Sequence, residues 1–385
     1  MANHDDSLMR SLQFLVTEDC NLRCVYCYEK HKTAKSLPVD FIKAKIRDEM
    51  LADNGYAELS IEFFGGEPLL RFDAIREVVD WFRDTDWSSS SKTYRFVITT
   101  NGSLLTDTMK DWFSRKSNDI TLCLSMDGLP EAQNRNRSNS SAAVLRHIPF
   151  FRELWPTQPV KMTVSPYTLD KMYDGVVYIH SLGLPVESNI VFEDVWGSED
   201  SKRMALRVYA EQLDKLVSFY HTHPQLTRPK MLFHNLLGLY VSDAPKDVRD
   251  FCGAGKHLFC YSADGKQYPC MRFAPICTAR PLEDIGLSIR KVTEKCESCM
   301  FERLCPTCQG HNFEVTGSCF ARTDFHCDFF KLELLASAKL CLLDDSKEQA
   351  EVDAGQVSER GNLIRLQKLL AVRAINDLCQ PVTDL

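Results

Sequence analysis

The stretch EDCNLRCVYCYEK (Glu18–Lys30) carries three cysteines, Cys20, Cys24 and Cys27, at intervals of four and three residues. A loop that short can gather three thiolates around one cuboidal cluster. A [4Fe–4S] cluster takes four ligands, and the next cysteine, Cys123, lies far down the chain. One iron is then left open, and an open iron can chelate the amine and carboxylate of a small molecule. Structural zinc is the plain alternative, but it wants four ligands and no nearby histidine has the right spacing.

Outward from this loop the chain alternates between two periods. Short runs rich in Val, Ile, Phe and Thr fall at Leu12–Thr17, Leu59–Phe64, Tyr94–Thr99, Ile120–Ser125, Val160–Ser165 and Asn189–Glu193, and read as strands. Helical patterns lie between them, for example at Pro38–Leu51, Phe72–Phe82, Thr168–Ser181 and Lys202–Tyr220. Strands alternating with helices imply parallel, right-handed βαβ units. A partial (β/α) barrel and an open doubly wound sheet both satisfy the pattern, and both place active-site residues at the C-terminal strand ends. The motifs fall there. Cys20 follows the first strand, GGEP (Gly65–Pro68) the second, TTNG (Thr99–Gly102) the third, and SMDG (Ser125–Gly128) ends the fourth.

CxxxCxxC with Tyr26 before its last cysteine, followed by these strand-end motifs, resembles the radical S-adenosylmethionine (radical SAM) superfamily. The resemblance implies an α/β fold, a partial (β/α)6 barrel over residues 1–235. It also implies a SAM-binding [4Fe–4S] cluster on Cys20, Cys24 and Cys27, and a 5′-deoxyadenosyl radical that abstracts hydrogen from substrate. By similarity Tyr26 lies against the adenine, and Gly65, Gly66 and Glu67 hold the methionine amino group. Asn101 and Ser125 touch the carboxylate or ribose, and Arg137, closing DGLPEAQNRNR, lies near the carboxylate, which a guanidinium matches bidentately.

Sixteen cysteines among 385 residues is the outstanding feature of a composition that is otherwise ordinary, with 26% charged residues and a net charge of −7. No apolar h-region opens the chain and no run is long enough to span a bilayer, so the expectation is a cytoplasmic protein whose thiols bind metal, without membrane or nucleic-acid partners. The cysteines crowd again from Cys252, which marks a domain boundary near residue 250. CGAGKHLFCYSADGKQYPC, then CESCMFERLCPTC and Cys327, resemble the SPASM domain of peptide- and protein-modifying radical SAM enzymes, taken as residues 236–335 with a helical tail over 336–385. By that resemblance Cys252, Cys270 and Cys308, with Cys260 as fourth ligand, hold one auxiliary [4Fe–4S] cluster. Cys296, Cys299, Cys305 and Cys327 hold a second. Cys308 follows Cys305 after two residues where the family has three, which puts its position in question. Cys319 is a substitute ligand, Cys277 sits outside the pattern, and Cys123, Cys341 and Cys379 read as ordinary thiols. A zinc ribbon on Cys296/Cys299 and Cys305/Cys308 would leave the other cysteines unexplained.

The resemblance implies oxidation of a ribosomal peptide, giving a thioether or a carbon–carbon, cyclophane-type crosslink. Sulfatase maturases, which form formylglycine, carry an aspartate after the YPC cysteine. Met271 stands there and cannot take a proton. A precursor peptide is thus the expected partner. With only 19 residues before Cys20, leader recognition falls to a separate protein or to the barrel. Flavodoxin or ferredoxin is the expected electron donor. Asp324, Glu193, His326 and Tyr261 remain open as the base. A non-catalytic Fe–S electron carrier or binding module is the reading from another class, and a SAM pocket argues against it. RNA modification is disfavoured by the acidic balance.

Overall fold

The computed structural model describes residues 9–116, 119–239, 252–281, 296, 298–321, 323–343 and 359–379. Six parallel strands follow in chain order: β1 (Met9–Thr17), β2 (Glu58–Gly65), β3 (Thr93–Thr100), β4 (Ile120–Leu124), β5 (Val160–Val164) and β6 (Val186–Ile190). β1 to β4 are hydrogen-bonded neighbours, and β5 pairs with β6. A single parallel bridge, Ser125 to Lys161, links the two groups, and Met126 N donates to Lys161 O at 3.0 Å. The result is the partial barrel expected from the sequence. β1 is buried from Ser11 to Thr17, as a parallel strand covered on both faces should be.

The helices cover the outside. Between successive strands run α1 (Val39–Leu51), α2 (Phe72–Asp84), α3 (Asp107–Lys116), the short α4 (Pro130–Asn136), α5 (Ser141–Leu145) and α6 (Ile148–Leu154), and α7 (Met172–Ser181). α8 (Glu199–Thr222) follows the last barrel strand. α2 shows the packing logic: Ile75, Val78, Val79 and Phe82 recur at helical spacing and are fully buried. α8 starts at Ser198, whose hydroxyl accepts the Ser201 N–H at 3.3 Å.

Among the strands, the sixth is displaced at both ends. The sixth strand was expected at Asn189–Glu193 and runs at Val186–Ile190. Gly183, at φ +79°, ends α7, and Val160 N already donates to Pro185 O at 2.9 Å. Pairing therefore begins where the sequence shows only a turn, and Phe192 and Glu193 are released from the sheet.

The expected boundary near residue 250 lies outside the described residues. Beyond it β7 (Leu258–Tyr261) pairs parallel with β1, Ser11 opposite Leu258 and Phe14 opposite Tyr261, and β8 (Gln267–Tyr268) pairs antiparallel with β7. The cysteine-rich segment thus extends the barrel's own sheet. It continues through α9 (Gln309–Thr316) to α10 (Asp324–Leu343), on which α11 (Glu359–Cys379) packs.

A buried polar triad locks α10 to the barrel. Tyr209 on α8 donates to Glu333 Oε1 at 2.8 Å, His234 Nε2 lies 3.0 Å from Oε2, and both the acid and the imidazole are nearly buried. Glu333→Ala would strand both partners, at a cost of about 2–4 kcal/mol. Urea unfolding should show this as a lowered midpoint; a loss near zero would mean that water reaches the triad.

Candidate active site

A cavity of about 320 Å³ opens at the C-terminal ends of the strands. Cys20, Cys24 and Cys27 line it together with Tyr26, Gly65, Gly66, Glu67, Asn101, Ser125 and Arg137, so every barrel residue singled out in the sequence reaches one space. The opposite wall is Lys161, Thr163, Asn189, Val191, Phe192 and Glu193, with Met271 and Arg272 from the cysteine-rich segment.

The cysteine loop is held by main chain. Gly66 N donates to Thr17 O at 3.0 Å and Glu67 N to Asp19 O at 2.9 Å. A Cβ on Gly65 would lie 2.0 Å from Thr17 O, and one on Gly66 2.1 Å from Asp19 O, so both positions require glycine. The Glu67 carboxylate is buried and accepts from Leu69 N, Thr100 Oγ1 and Asn101 N at 3.1, 2.7 and 2.8 Å. Asn101 donates to Asn21 Oδ1 at 2.9 Å and accepts from Ser103. Both side chains are therefore engaged with protein neighbours and shape the wall.

Asp127 was missed as a site residue, although it lies within the SMDG motif. It is 1% exposed. Oδ2 accepts from Tyr26 Oη at 2.5 Å and Asn136 Nδ2 at 3.0 Å, and pairs with Arg137 Nε at 3.1 Å. Oδ1 accepts from Thr163 N at 3.0 Å. The Arg137 guanidinium also stands 5.4 Å from the Tyr26 ring centroid. One carboxylate thus orients two of the side chains that line the cavity.

Burial pushes the Cys20 thiol up to about 11, raises Cys24, and lifts the Glu29 carboxyl to about 7. Unpaired negative charge is disfavoured at this end of the cavity. Three thiolates here need a cationic partner, which the iron of a cluster supplies. Lys32, donating to Cys27 Sγ at 3.1 Å, is the one basic side chain seen bonded to these thiols among the described residues.

In the cysteine-rich segment, Cys260 lies buried in one apolar cluster with Cys277, Cys319 and Met271, and the half-buried Cys270 packs against it. Burial raises the Cys270 thiol most, and Cys308 and Cys252 raise it further; Cys260 in turn feels Cys270. Cys252, Cys260 and Cys308 thus each lie within electrostatic range of Cys270. Cys277 is also within electrostatic range of Cys260 and Cys270. Cys299 and Cys305 pack against a separate apolar cluster around Leu236, Phe301 and Phe330. Cys299 N donates to Cys296 O at 3.2 Å, and Cys327 lies on α10.

Of the four candidate bases, Glu193 alone lines the cavity, where Arg272 Nη1 donates to its Oε1 at 2.5 Å. Tyr261 instead stacks on Phe14 with centroids 5.4 Å apart, His326 stands behind Phe192 at 4.9 Å, and Asp324 opens α10.

This cavity, built on strand ends around a three-cysteine loop, lies where an α/β barrel carries its active site. The chain belongs to the radical SAM superfamily: that family's model matches residues 14–194. It is 35% identical over 256 residues to an uncharacterised protein of Methanocaldococcus jannaschii, covering 65% of this chain and 81% of that one. It is 23% identical to the radical SAM cyclopropyl synthase TigE of Paramaledivibacter caminithermalis, over 54% of this chain and 47% of that relative. In fold it is similar to anSMEcpe with bound AdoMet, at 19% identity and TM-score 0.68, covering 88% of this chain and 100% of that one. It is also similar to SuiB of Streptococcus suis bound to precursor peptide SuiA, at 18% identity and TM-score 0.53, covering 83% and 76%. The superfamily uses SAM and a [4Fe–4S] cluster, and the cysteine-rich C-terminal region fits a SPASM domain. Among the described residues no helix is long and apolar enough to cross a membrane.

Asp127→Asn should weaken SAM binding roughly tenfold to a hundredfold, the equivalent of about 1.5–3 kcal/mol for a charged hydrogen-bond acceptor. Equilibrium binding to the reconstituted protein would read it; unchanged affinity at equal iron content would show that Tyr26 and Arg137 need no anchor.

Proposed function

We propose that this enzyme oxidatively modifies a ribosomally made peptide, introducing a thioether or carbon–carbon crosslink. The observation that carries the reading is that one cavity is walled both by the three-cysteine loop and by Met271 and Arg272 of the cysteine-rich segment. A substrate seated there lies between the initiating centre and the auxiliary cysteines.

Cys20, Cys24 and Cys27 would hold the SAM-binding cluster. Tyr26 would face the adenine, and the Gly65–Glu67 turn would face the methionine amino group. Ser125 and Asn101 would flank the ribose and carboxylate. Arg137 meets Asp127 through Nε, which leaves its terminal nitrogens for the carboxylate. When bound, SAM and the cluster supply a 5′-deoxyadenosyl radical that takes hydrogen from the peptide. Forming a crosslink removes a second electron and a proton. An acceptor is therefore needed, which two auxiliary clusters within residues 236–335 would provide: Cys252, Cys260, Cys270 and Cys308 for one, Cys296, Cys299, Cys305 and Cys327 for the other. Glu193, which lines the cavity, would receive the proton.

The formylglycine reading draws on the likeness in fold to anSMEcpe, but the position after YPC holds a thioether. Tyr28 Oη donates to Met271 Sδ at 3.3 Å, so that side chain serves packing and cannot serve as a base.

Anaerobic reconstitution should give about twelve irons per chain and release 5′-deoxyadenosine on addition of reductant and SAM. Peptides encoded beside the gene should lose two hydrogens by mass spectrometry. The triple variant Cys20→Ala, Cys24→Ala, Cys27→Ala should release no deoxyadenosine. Cys296→Ala with Cys299→Ala should still release it but yield no crosslink. Zinc in place of iron, with no deoxyadenosine, would sink the proposal, and replacement of a cysteine sulfur by oxygen would point to the maturase chemistry.

A further inference from the structure

His311 lies in the first turn of α9, where its backbone N–H points at Cys308 Sγ, 3.5 Å away. Its side chain is 3% exposed, and neither Nδ1 nor Nε2 has a hydrogen-bond partner among the described residues. An imidazole always carries at least one N–H, so a buried donor is left waiting. Native proteins rarely leave such a group unpaired, and an ion or cluster is among the partners that explain it.

The surroundings say which partner. α9 is pressed against the segment that carries Cys270: a Cβ on Gly310 would stand 2.4 Å from Cβ of Arg272. The turn from Cys308 to His311 is thereby clamped beside Cys270–Arg272. On its other side the His311 ring meets His326 edge-on at 5.2 Å and Phe192 at 5.8 Å. Those rings close it off from the cavity, since Phe192 is itself a lining residue. A donor enclosed by the Phe192 and His326 rings and next to a cysteine of the first auxiliary set has that set's contents as its natural acceptor.

We infer that His311 donates a ring N–H to the auxiliary iron–sulfur cluster held by Cys270 and Cys308, and so raises that cluster's reduction potential. The inference rests on the auxiliary-cluster reading given above. Hydrogen bonds to cluster sulfur stabilise the more negative, reduced state. His311 would therefore make this cluster the better acceptor for the electron leaving the substrate. It acts through the cluster, as a positioning and tuning residue.

The test compares the reconstituted full chain with His311→Phe, which fills the space without donating, and His311→Gln, which keeps a donor. Iron is counted, and the auxiliary EPR signals are titrated against potential. The expected result is unchanged iron in all three proteins. One auxiliary signal titrates at lower potential in the Phe variant, and the Gln variant falls between Phe and wild type. Should the Phe variant fail to fold, the shift of Gln against wild type decides. Equal potentials in all proteins would overturn the inference. Loss of one cluster's iron from both variants would also overturn it, because His311 would then be a ligand. Wild-type protein holding only about four irons would remove the auxiliary reading itself, and this inference with it.

Discussion

The site depends on two backbone hydrogen bonds, Gly66 N to Thr17 O and Glu67 N to Asp19 O. They fix the start of the cysteine loop to the end of β2 by main chain alone. The register of β1 against β2 shifts between Leu15 and Thr17, which brings Thr17 opposite Gly65. Any side chain at Gly65 or Gly66 would strike the carbonyls that make the contact. Where Cys20 begins is therefore decided by sheet register. From the same turn Glu67 reaches Thr100 and Asn101, so the end of β3 is set by the same constraint.

A second constraint works where the sheet itself gives out. β4 and β5 share only the bridge from Ser125 to Lys161, a weak seam for a barrel wall. Asp127 reinforces it by accepting from Thr163 N on β5 while gathering Tyr26, Asn136 and Arg137. A buried carboxylate is costly unless its lone pairs are satisfied. Here three hydrogen-bond donors and the Arg137 guanidinium satisfy it, and they come from the cysteine loop, α4 with its C-cap, and β5. The groups that would recognise the cofactor are thus ordered by the same residue that closes the wall.

The barrel was legible because strands buried on both faces leave apolar β-branched runs, and because each of the first four runs ended in a motif. What the sequence hid follows from the same physics. In SMDG both Ser125 and Asp127 are polar. Only the structure shows that the serine lines the cavity while the aspartate turns into the wall. The sixth strand begins three residues before the expected Asn189, and Glu187 in the stretch that was passed over looks like a loop residue. Leu258–Tyr261 is too short to announce itself as a strand, and its cysteine drew attention to metal before pairing. The two-residue gap before Cys308 looked like a displacement, yet α9 begins there and Cys308 lies within electrostatic range of Cys270.

Arg272 shows why the two halves of the protein form one active centre. Its guanidinium stacks 4.1 Å from the Tyr28 ring centroid, next to the loop's last cysteine, and bonds Glu193 at 2.5 Å across the cavity. It also feels the Cys308 thiol from the auxiliary side. A guanidinium stays charged at any relevant pH, so it holds a fixed positive charge between the Glu193 carboxylate and the Cys308 thiol. In so little water, a change of charge on either side is felt on the other. A methionine at the preceding position fits this arrangement. Glu29, Glu67 and Glu193 already line the cavity, and another carboxylate beside Arg272 would compete with Glu193 for its only bonded cation among the described residues. The thioether leaves that pair intact.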